Sequence, residues 1–599
     1  MSPPVVALSR PLLFDYCPAG IWVGERMTTN TTEAGRSSWP TTGLASVFAF
    51  AAHSNRRALA MLFVVSLVVF LPGFFQLPPL DRDESRFAQA TKQMIETGDY
   101  VDIRYQDEVR YKKPVGIYWL QAAAVKTAAA LGVADARNTI WLYRIPSLVG
   151  AIGAVLATYW AALAFVSRRG AMLAALMMAA SPLLGVEARM ATTDAVLLLT
   201  SVIAMGALGR GYLAARKADG RPLGWGLLVV LWTAVAVGIL IKGPLILMFV
   251  GLTAVAISIL DRSARWLMTL RPLLGLAWVL VVALPWFVAI YLRVGSEFFV
   301  DSVGTDLLSK VSNSMESHGA PPGTYFLLFF ATFFPASILA GLAAPAVWTV
   351  RHEPAARFLL AWLVPSWIVF ELVVTKLPHY VLPLYPAIAI LIAGAVESNV
   401  LSQRPWLKRG TAWWFVAPIL LSVAAVVASV IAARDLALPA WPFLAGAIVC
   451  GLFAWLLYEQ DGAERAFLRA AASMALIAIA FYGLLVPWLT PVFPSVALAN
   501  VLRNADCKEP VAASAGYEEP SLVFLAGTAT HLTDASGAAD FLGQGDCHFA
   551  FIDARQERAF ARRAQDLNLH YNRKPHVTGF NISNGQSVTI EVFQSAGAP

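Results

Sequence analysis

Apolar runs of about 20 residues recur along most of this chain, and they constrain its fold more than any other feature. A helix of that length crosses the hydrocarbon core of a bilayer and satisfies its own backbone hydrogen bonds there. Of the 599 residues, 58% are hydrophobic and only 14% are charged, a balance unlike that of a soluble domain. The sequence therefore predicts a polytopic α-helical membrane protein.

Thirteen runs are long and apolar enough to be predicted as spans. They lie near residues 58–76, 144–166, 170–186, 193–213, 223–240, 244–260, 273–292, 323–349, 357–375, 379–397, 412–433, 438–458 and 466–488.

The segment 114–131 is apolar enough to span, but it carries Gln121 and Lys126. The positive-inside rule places it along the interface, because basic connections such as Arg168-Arg169 then fall on the same side as Arg56-Arg57. This topology puts the N-terminus in the cytoplasm and the C-terminus outside. We expect Gln121 and Lys126 to reach polar surroundings by snorkelling.

Three regions follow from this pattern. Residues 1–57 are predicted to be a cytoplasmic tail, 58–490 the transmembrane domain with an external first loop at 78–143, and 491–599 a soluble domain. In the last region β-prone runs alternate with helical ones, which is typical of a small α/β domain. The β-prone runs are Val511–Ala515, Ser521–Leu525, His548–Ile552 and Ser587–Phe593, and the helical runs are Ala535–Leu542 and Gln556–Leu567.

The four cysteines do not indicate a catalytic thiol. Cys507 and Cys547 both lie in the soluble region, where an external location would permit a disulfide; two unpaired thiols are the alternative. Cys450 falls inside a span and Cys17 in the tail, so we assign neither to catalysis.

The net charge of +7 comes mostly from Lys and Arg of the inner connections, so it does not indicate a nucleic-acid partner. The sequence shows no convincing Gly-rich phosphate loop, zinc-type cysteine pairing or serine nucleophile elbow.

Charge is concentrated in the first external loop. Ionisable groups at a membrane edge are costly and usually functional. Asp83 and Glu84 can orient or deprotonate an acceptor or stabilise positive charge on a sugar. The alternative is a solvated turn and helix cap in which Asp83 pairs with Arg86. The stretch Arg110-Tyr111-Lys112-Lys113-Pro114 can neutralise a phosphate, or it can attract anionic headgroups.

Further candidates fall on the same predicted face. Asp194 is either a second acid of the cavity or part of a helix cap. The corner Lys376-Leu377-Pro378-His379-Tyr380 can bind phosphate and sugar hydroxyls, or anchor the chain at the interface. His318 is a loop histidine with Glu316 nearby, which leaves a weak option for a metal site beside a structural or solvated role.

Several of these motifs resemble a known family. Asp83-Glu84-Ser85-Arg86-Phe87-Ala88, Gly98-Asp99-Tyr100 and Arg110-Tyr111-Lys112-Lys113-Pro114 with Tyr118-Trp119 resemble the first external loop of the polyprenyl-phosphate-sugar glycosyltransferases with the GT-C fold. The likeness is greatest to the lipid A 4-amino-4-deoxy-L-arabinose transferases. Further similar motifs follow in the same order, at Glu187–Asp194, Lys242-Gly243-Pro244, His318–Pro321 and Lys376–Pro383.

The resemblance implies a membrane glycosyltransferase of the bacterial inner membrane with thirteen spans and a periplasmic C-terminal domain. The donor would be undecaprenyl phosphate carrying aminoarabinose, and the acceptor a lipid A phosphate, a modification that confers resistance to cationic peptides. The implied roles are a catalytic acid at Asp83 and carrier-phosphate contacts from Arg86, Lys113 and the 376–380 corner. No cofactor would be required, although a bound divalent metal stays an option.

One departure from the family and three alternatives stay open. Lys112 stands where close relatives are expected to carry Glu, which weakens any acidic or metal-binding role there. Related enzymes transfer other sugars, or use protein acceptors, with similar loop motifs. A lipid transporter is the non-enzyme alternative, but it should carry polar groups near the bilayer midplane, whereas the charges here collect at one face. A purely structural membrane protein is disfavoured by the paired acids and bases of the first loop.

Overall fold

The computed structural model describes residues 43–216, 223–302, 304, 319–581 and 583–596. Its helical part begins with Gly43–Ala52, Asn55–Phe70, Asp83–Thr97 and Gly116–Ala130. The helices that follow are Ile140–Ala162, Arg168–Ala179, Pro182–Glu187, Asp194–Ala214, Trp225–Lys242, Leu245–Leu260, Pro272–Val294, Thr324–Thr332, Ser337–Thr349, Pro354–Leu372, Tyr385–Glu397, Trp413–Ala433, Trp441–Leu456 and Tyr458–Ala478.

Every predicted span falls on a helix, which confirms the helical membrane fold. Among the residues described, 9 helices are long and apolar enough to cross a bilayer, or 10 if the bent pair Thr324–Thr332 and Ser337–Thr349 forms one span. The thirteen predicted spans also include three shorter helices. Asn55–Phe70 and Leu245–Leu260 have 16 residues each, and Arg168–Ala179 has 12 before the chain breaks ahead of Pro182.

Two helices of the predicted first loop flank a short hairpin. The first-loop helix, Asp83–Thr97, ends at Gly98, whose φ of 74° suits a left-handed cap. Strands β1 (Arg104–Tyr105) and β2 (Glu108–Val109) pair antiparallel and lead to the second helix, Gly116–Ala130. It has 15 residues and extends about 22 Å, so its length does not distinguish it from the shorter predicted spans.

The two polar residues of that second helix differ in environment. Lys126 is exposed, and its Nζ donates to the Tyr100 hydroxyl at 3.2 Å. Gln121 does not snorkel as predicted. It is fully buried, accepts from Thr91 Oγ1 at 2.6 Å and donates to the Ala191 carbonyl at 3.1 Å. Its amide therefore joins the first-loop helix to the segment before Asp194.

The C-terminal domain, residues 494–596, contains the predicted α/β layers. Its strands are β3 (Val511–Ala515), β4 (His531–Leu532), β5 (His548–Asp553), β6 (Tyr571–Asn581) and β7 (Gln586–Ser595). They form one sheet in the order β4-β3-β5-β7-β6, parallel among the first three and antiparallel from β5 to β6. Helices Pro494–Arg503, Pro520–Ala526, Ala535–Leu542 and Glu557–Asp566 cover it.

One segment of this domain was predicted as a strand and is a helix. Ser521–Leu525 lies within Pro520–Ala526, because Pro520 occupies the first turn, where its fixed φ favours a helix start. The disulfide prediction is confirmed, since Cys507 and Cys547 are bridged with their Cα atoms 5.8 Å apart. Cys450 is a half-buried free thiol, and Cys17 lies outside the described residues.

The helix Pro520–Ala526 packs against the first-loop helix. The Phe524 side chain is fully buried with Ala88, Val125 and Tyr143, and its ring lies 5.3 Å from the Tyr143 ring. Lys92 adds a polar contact, because its Nζ donates to the Phe524 carbonyl at 2.9 Å. The C-terminal domain thus contacts the loop that carries the candidate acids.

Candidate active site

A buried ion pair joins two helix ends in the membrane region. Asp194 is the first residue of one helix and Lys242 the last residue of another. Lys242 Nζ donates to Asp194 Oδ1 at 2.5 Å, with side-chain exposures of 8% and 7%. Burying two charges costs free energy, and their pairing offsets part of that cost, so the two side chains depend on each other.

His379 lies between two carboxylates beside that pair. Its Nδ1 is 3.4 Å from Glu187 Oε1, and its Nε2 is 3.8 Å from Asp194 Oδ1. Glu187 also accepts from the Thr192 hydroxyl at 2.9 Å. The Tyr380 ring lies 5.6 Å from Lys242 Nζ and 5.2 Å from the His379 ring. An ammonium held by a carboxylate and an aromatic face can present its other N–H donors to a phosphate.

The first loop reaches this cluster at two places. Glu84 Oε1 accepts from the Ala191 N–H at 2.9 Å, which places the start of the first-loop helix beside the segment that leads to Asp194. The second place is a close approach of backbones, since a Cβ on Gly116 would lie 2.7 Å from the Leu240 carbonyl oxygen. The segment ending in Lys113 and Pro114 therefore runs past the Lys242 end of its helix.

The predicted phosphate ligands of the first loop are not equally accessible. Asp83 is exposed at the first position of its helix, and Arg86 is half-buried one turn later. Lys112 is exposed, and Lys113 is half-buried with its Nζ donating to the Lys112 carbonyl at 2.9 Å.

Arg110 and Tyr111 are more deeply buried than Lys112 and Lys113. Arg110 is 7% exposed, its guanidinium stands 5.0 Å from the Phe87 ring centroid, and its Nε has no hydrogen-bond partner. Tyr111 is 2% exposed, and its hydroxyl donates to Asp102 Oδ1 at 2.7 Å. Burial raises the pKa of the Tyr111 phenol. Tyr111 thus supports the loop, and its predicted contact with substrate stays a prediction.

Glu84 is held by groups of the protein itself. Its side chain is fully buried, and Arg144 Nε and Nη2 donate to its two oxygens at 2.7 and 2.8 Å. The same carboxylate accepts from the backbone N–H of Leu80 and of Ala191, both at 2.9 Å. With both oxygens occupied in this way, Glu84 stabilises the loop, and its predicted contact with substrate stays a prediction.

Lys376, a predicted phosphate ligand, contacts backbone carbonyls. Its Nζ donates to the carbonyls of Phe370, Glu371 and Val373 at 3.2, 2.9 and 2.6 Å, which caps the end of helix Pro354–Leu372. A lysine at this position satisfies terminal carbonyls and complements the helix dipole. Burial lowers the pKa of the Lys376 ammonium. Of the predicted corner, only His379 and Tyr380 join the cluster.

The structure brings together one set of possible metal ligands. Glu187, Asp194 and His379 offer ligand atoms that all lie within 4.8 Å of one another. The Lys242 ammonium already neutralises Asp194, so an ion would compete with it. His318, the predicted weak metal ligand, lies outside the described residues.

Lys242 and Glu187 were not among the predicted site residues. Both stand in quoted motifs, Glu187–Asp194 and Lys242-Gly243-Pro244, and both are charges at the external end of a predicted span. That placement was the available signal. The pairing of Lys242 with Asp194 could not be inferred, because nothing in the sequence relates a charge at 242 to one at 194.

Comparisons with known proteins identify the fold class of this chain. A family described as dolichyl-phosphate-mannose-protein mannosyltransferase matches residues 112–288. The crystal structure of ArnT from Cupriavidus metallidurans bound to undecaprenyl phosphate superposes with a TM-score of 0.69 over 92% of this chain and 98% of that chain, at 19% identity. Its apo form gives 0.68. The chain has this GT-C transferase fold, in a multi-pass membrane protein.

Sequence similarity points to a more specific group of relatives than the fold does. The chain is 28% identical over 368 residues to the undecaprenyl phosphate-alpha-4-amino-4-deoxy-L-arabinose arabinosyl transferase of Pseudomonas paraeruginosa, covering 60% of this chain and 64% of that protein. The protein of the same name from Edwardsiella ictaluri is 28% identical over 348 residues, covering 57% and 59%. These alignments span less than two thirds of the relatives' length. They confirm the resemblance stated from the motifs.

Proposed function

We propose that this protein transfers 4-amino-4-deoxy-L-arabinose from undecaprenyl phosphate to a phosphate group of lipid A, at the periplasmic face of a bacterial inner membrane. The buried Lys242–Asp194 pair, bordered by His379 and Tyr380, carries this proposal. A lysine ammonium held in this way can donate to a phosphate, and the first loop passes beside the pair through Glu84 and Gly116. The names of the relatives and the ligand of the similar ArnT structure supply the substrate class.

The chemistry is a single displacement with inversion. A phosphate oxygen of the acceptor attacks the anomeric carbon, the bond from that carbon to the carrier phosphate oxygen breaks, and the electron pair leaves with undecaprenyl phosphate. The leaving group gains negative charge in the transition state. Lys242, Lys113 and Arg86 would stabilise that charge, the largest contribution available to a site of this kind.

Asp83 is assigned to the acceptor side. A phosphate acceptor is already ionised near neutral pH, so it scarcely needs a strong base. Asp83, exposed at the first turn of its helix, would orient the acceptor or hold the sugar amine. Asp194 acts through Lys242, whose ammonium it holds in place.

We further propose that transfer needs no divalent metal, because Lys242 supplies positive charge where an ion would sit. Chelation of detergent-purified protein should leave its rate unchanged, and added Mn²⁺ should not raise it. A rate that falls after chelation and returns with Mn²⁺ would assign Glu187, Asp194 and His379 to a metal.

A transferase for another sugar or for a protein acceptor is the second candidate, favoured by the match of residues 112–288 to a protein mannosyltransferase family. Mass spectrometry of lipid A from cells with and without the protein decides between them. We expect each aminoarabinose to add its mass to a phosphate of lipid A only when the wild-type protein is present. Unmodified lipid A together with a newly glycosylated protein would favour the second candidate. A lipid transporter would leave both unmodified.

A further inference from the structure

A strained residue precedes the candidate catalytic acid. Arg82 has φ 63° and ψ −115°, a backbone conformation that residues with a side chain rarely adopt. A conformation of this kind is unfavourable and persists only where surrounding contacts hold it. Asp83 follows directly and begins the first-loop helix, so the direction of its side chain depends on this residue.

The contact that holds Arg82 comes from the opposite end of the chain. Arg82 Nη2 donates to the Ser583 carbonyl at 2.6 Å, across a sequence separation of 501 residues. Ser583 is itself fixed, because its hydroxyl donates to Glu519 at 2.9 Å and its N–H to Asn581 Oδ1 at 2.8 Å. Asn581 also donates to Glu519, at 2.8 Å. The acceptor for Arg82 is therefore part of a fixed turn between β6 and β7.

The residue on the other side of Arg82 contacts the same domain. The half-buried Asp81 side chain lies beside Ser521 and Glu519, at the start of helix Pro520–Ala526. Two consecutive side chains before Asp83 thus end on the C-terminal domain. We call these two interactions, Arg82 to Ser583 and Asp81 to Ser521, the clamp contacts.

Further contacts keep the domain at this position. Gln89 donates to the Thr528 hydroxyl at 2.8 Å, and Thr528 donates to Glu96 at 2.7 Å. The buried Phe524 ring packs behind the same helix. Because these contacts run along the first-loop helix while the clamp contacts hold its start, the domain sets both the position of the helix and its first turn.

We propose that the C-terminal domain is a positioning element of the active site, and that Arg82 is the positioning residue that aims Asp83 and Arg86 at the reacting groups. This inference rests on the proposed function for its kinetic readout. Without the Arg82 contact the turn relaxes to an ordinary backbone conformation, and Asp83 moves. Misplacing a catalytic group by about 1 Å can lower the rate about 100-fold.

The test compares Arg82→Ala and Arg82→Lys with a control, Arg563→Ala, in full-length protein. Lysine can still donate to the Ser583 carbonyl. Arg563 pairs with Asp540 on the helices of the C-terminal domain and does not contact the turn that carries Ser583. We expect Arg82→Ala to lower kcat about 10- to 100-fold with KM for the donor little changed. Arg82→Lys should recover much of that loss, and Arg563→Ala should match the wild type.

Amide hydrogen exchange of residues 80–86 supplies a readout that needs no substrate. Arg82→Ala should raise exchange there and leave the spans protected. Wild-type kcat in Arg82→Ala, or unchanged exchange of 80–86, would overturn the inference. If wild-type protein transfers no aminoarabinose but Arg82→Ala still raises the exchange, the proposed substrate is wrong while the clamp contacts stand.

Discussion

Lys242 and Asp194 form the pair on which the site depends. Each is almost fully buried, and each lies at the end of a different helix. Removing one partner of a buried pair leaves an uncompensated charge, whereas removing both charges can be nearly neutral for stability. The pair therefore allows fold and activity to be separated experimentally.

Lys242→Gln should abolish transfer and lower the melting temperature, because the Asp194 carboxylate is left buried without its cation. The double variant Lys242→Gln/Asp194→Asn should recover the melting temperature but not the activity. Thermal scanning of purified protein and donor turnover are the two measurements. A double variant that regains wild-type turnover would remove Lys242 from the catalytic machinery.

Substitution of Asp83 should lower activity, whereas substitution of the neighbouring Glu84 should lower stability. Asp83 is exposed, whereas Glu84 is buried against Arg144. We expect Asp83→Asn to lose at least 100-fold in kcat (about 3 kcal/mol of transition-state stabilisation) at an unchanged melting temperature. Glu84→Gln should lose stability, by up to about 3–5 kcal/mol for a broken buried pair. Full turnover by Asp83→Asn would contradict the assignment of the acid.

The first-loop helix and Pro520–Ala526 meet as two elements with a titratable group between them. Burial raises the pKa of Asp81 to about 6 from 3.8. The Glu519 carboxylate raises it further, while hydrogen bonds from Ser521 oppose the shift. Tyr517 also faces Asp81. The protonated form of Asp81 therefore fits this interface better than the ionised form.

The sign of the pH effect follows from that shift. Between the two pKa values, 3.8 and about 6, the folded protein binds more protons than the unfolded chain. The contribution of Asp81 to stability is therefore largest at low pH and is lost as the pH rises toward about 6. Asp81→Asn should melt higher than the wild type at pH 7.5, with a smaller difference at pH 4.5. An equal difference at both pH values would contradict the shifted pKa.

At the level of the complete molecule, the proposed mechanism requires that the first-loop residues and Asp194 lie on the same side of the membrane. The topology predicted from charge meets this requirement only if Gly116–Ala130 does not cross the bilayer. An impermeant thiol reagent applied to intact cells should label a cysteine at Asp135 and miss one at Arg168. Protection of 135 with labelling of 168 would mean that the segment crosses, and the first-loop residues would then lie on the face opposite to Asp194.

Local patterns in the sequence were sufficient for the membrane fold, the placement of polar groups, the α/β character of the last 100 or so residues and the candidate disulfide. Hydropathy, charge counts and turn residues are properties of short windows of sequence, so they can be interpreted without knowledge of packing. The motifs around Asp83, Asp194 and Tyr380 also carried the resemblance that the comparisons confirm.

The roles of individual charges required the tertiary structure. Asp83 and Glu84 are adjacent acids in the sequence, and only packing buries one of them against Arg144, 60 residues away. Lys376 and Lys242 both follow an apolar run, yet one caps carbonyls and the other meets Asp194 across 48 residues. Arg82 depends on a carbonyl 501 residues distant. Such pairings are set by which helices pack together, a property that no short window of sequence contains.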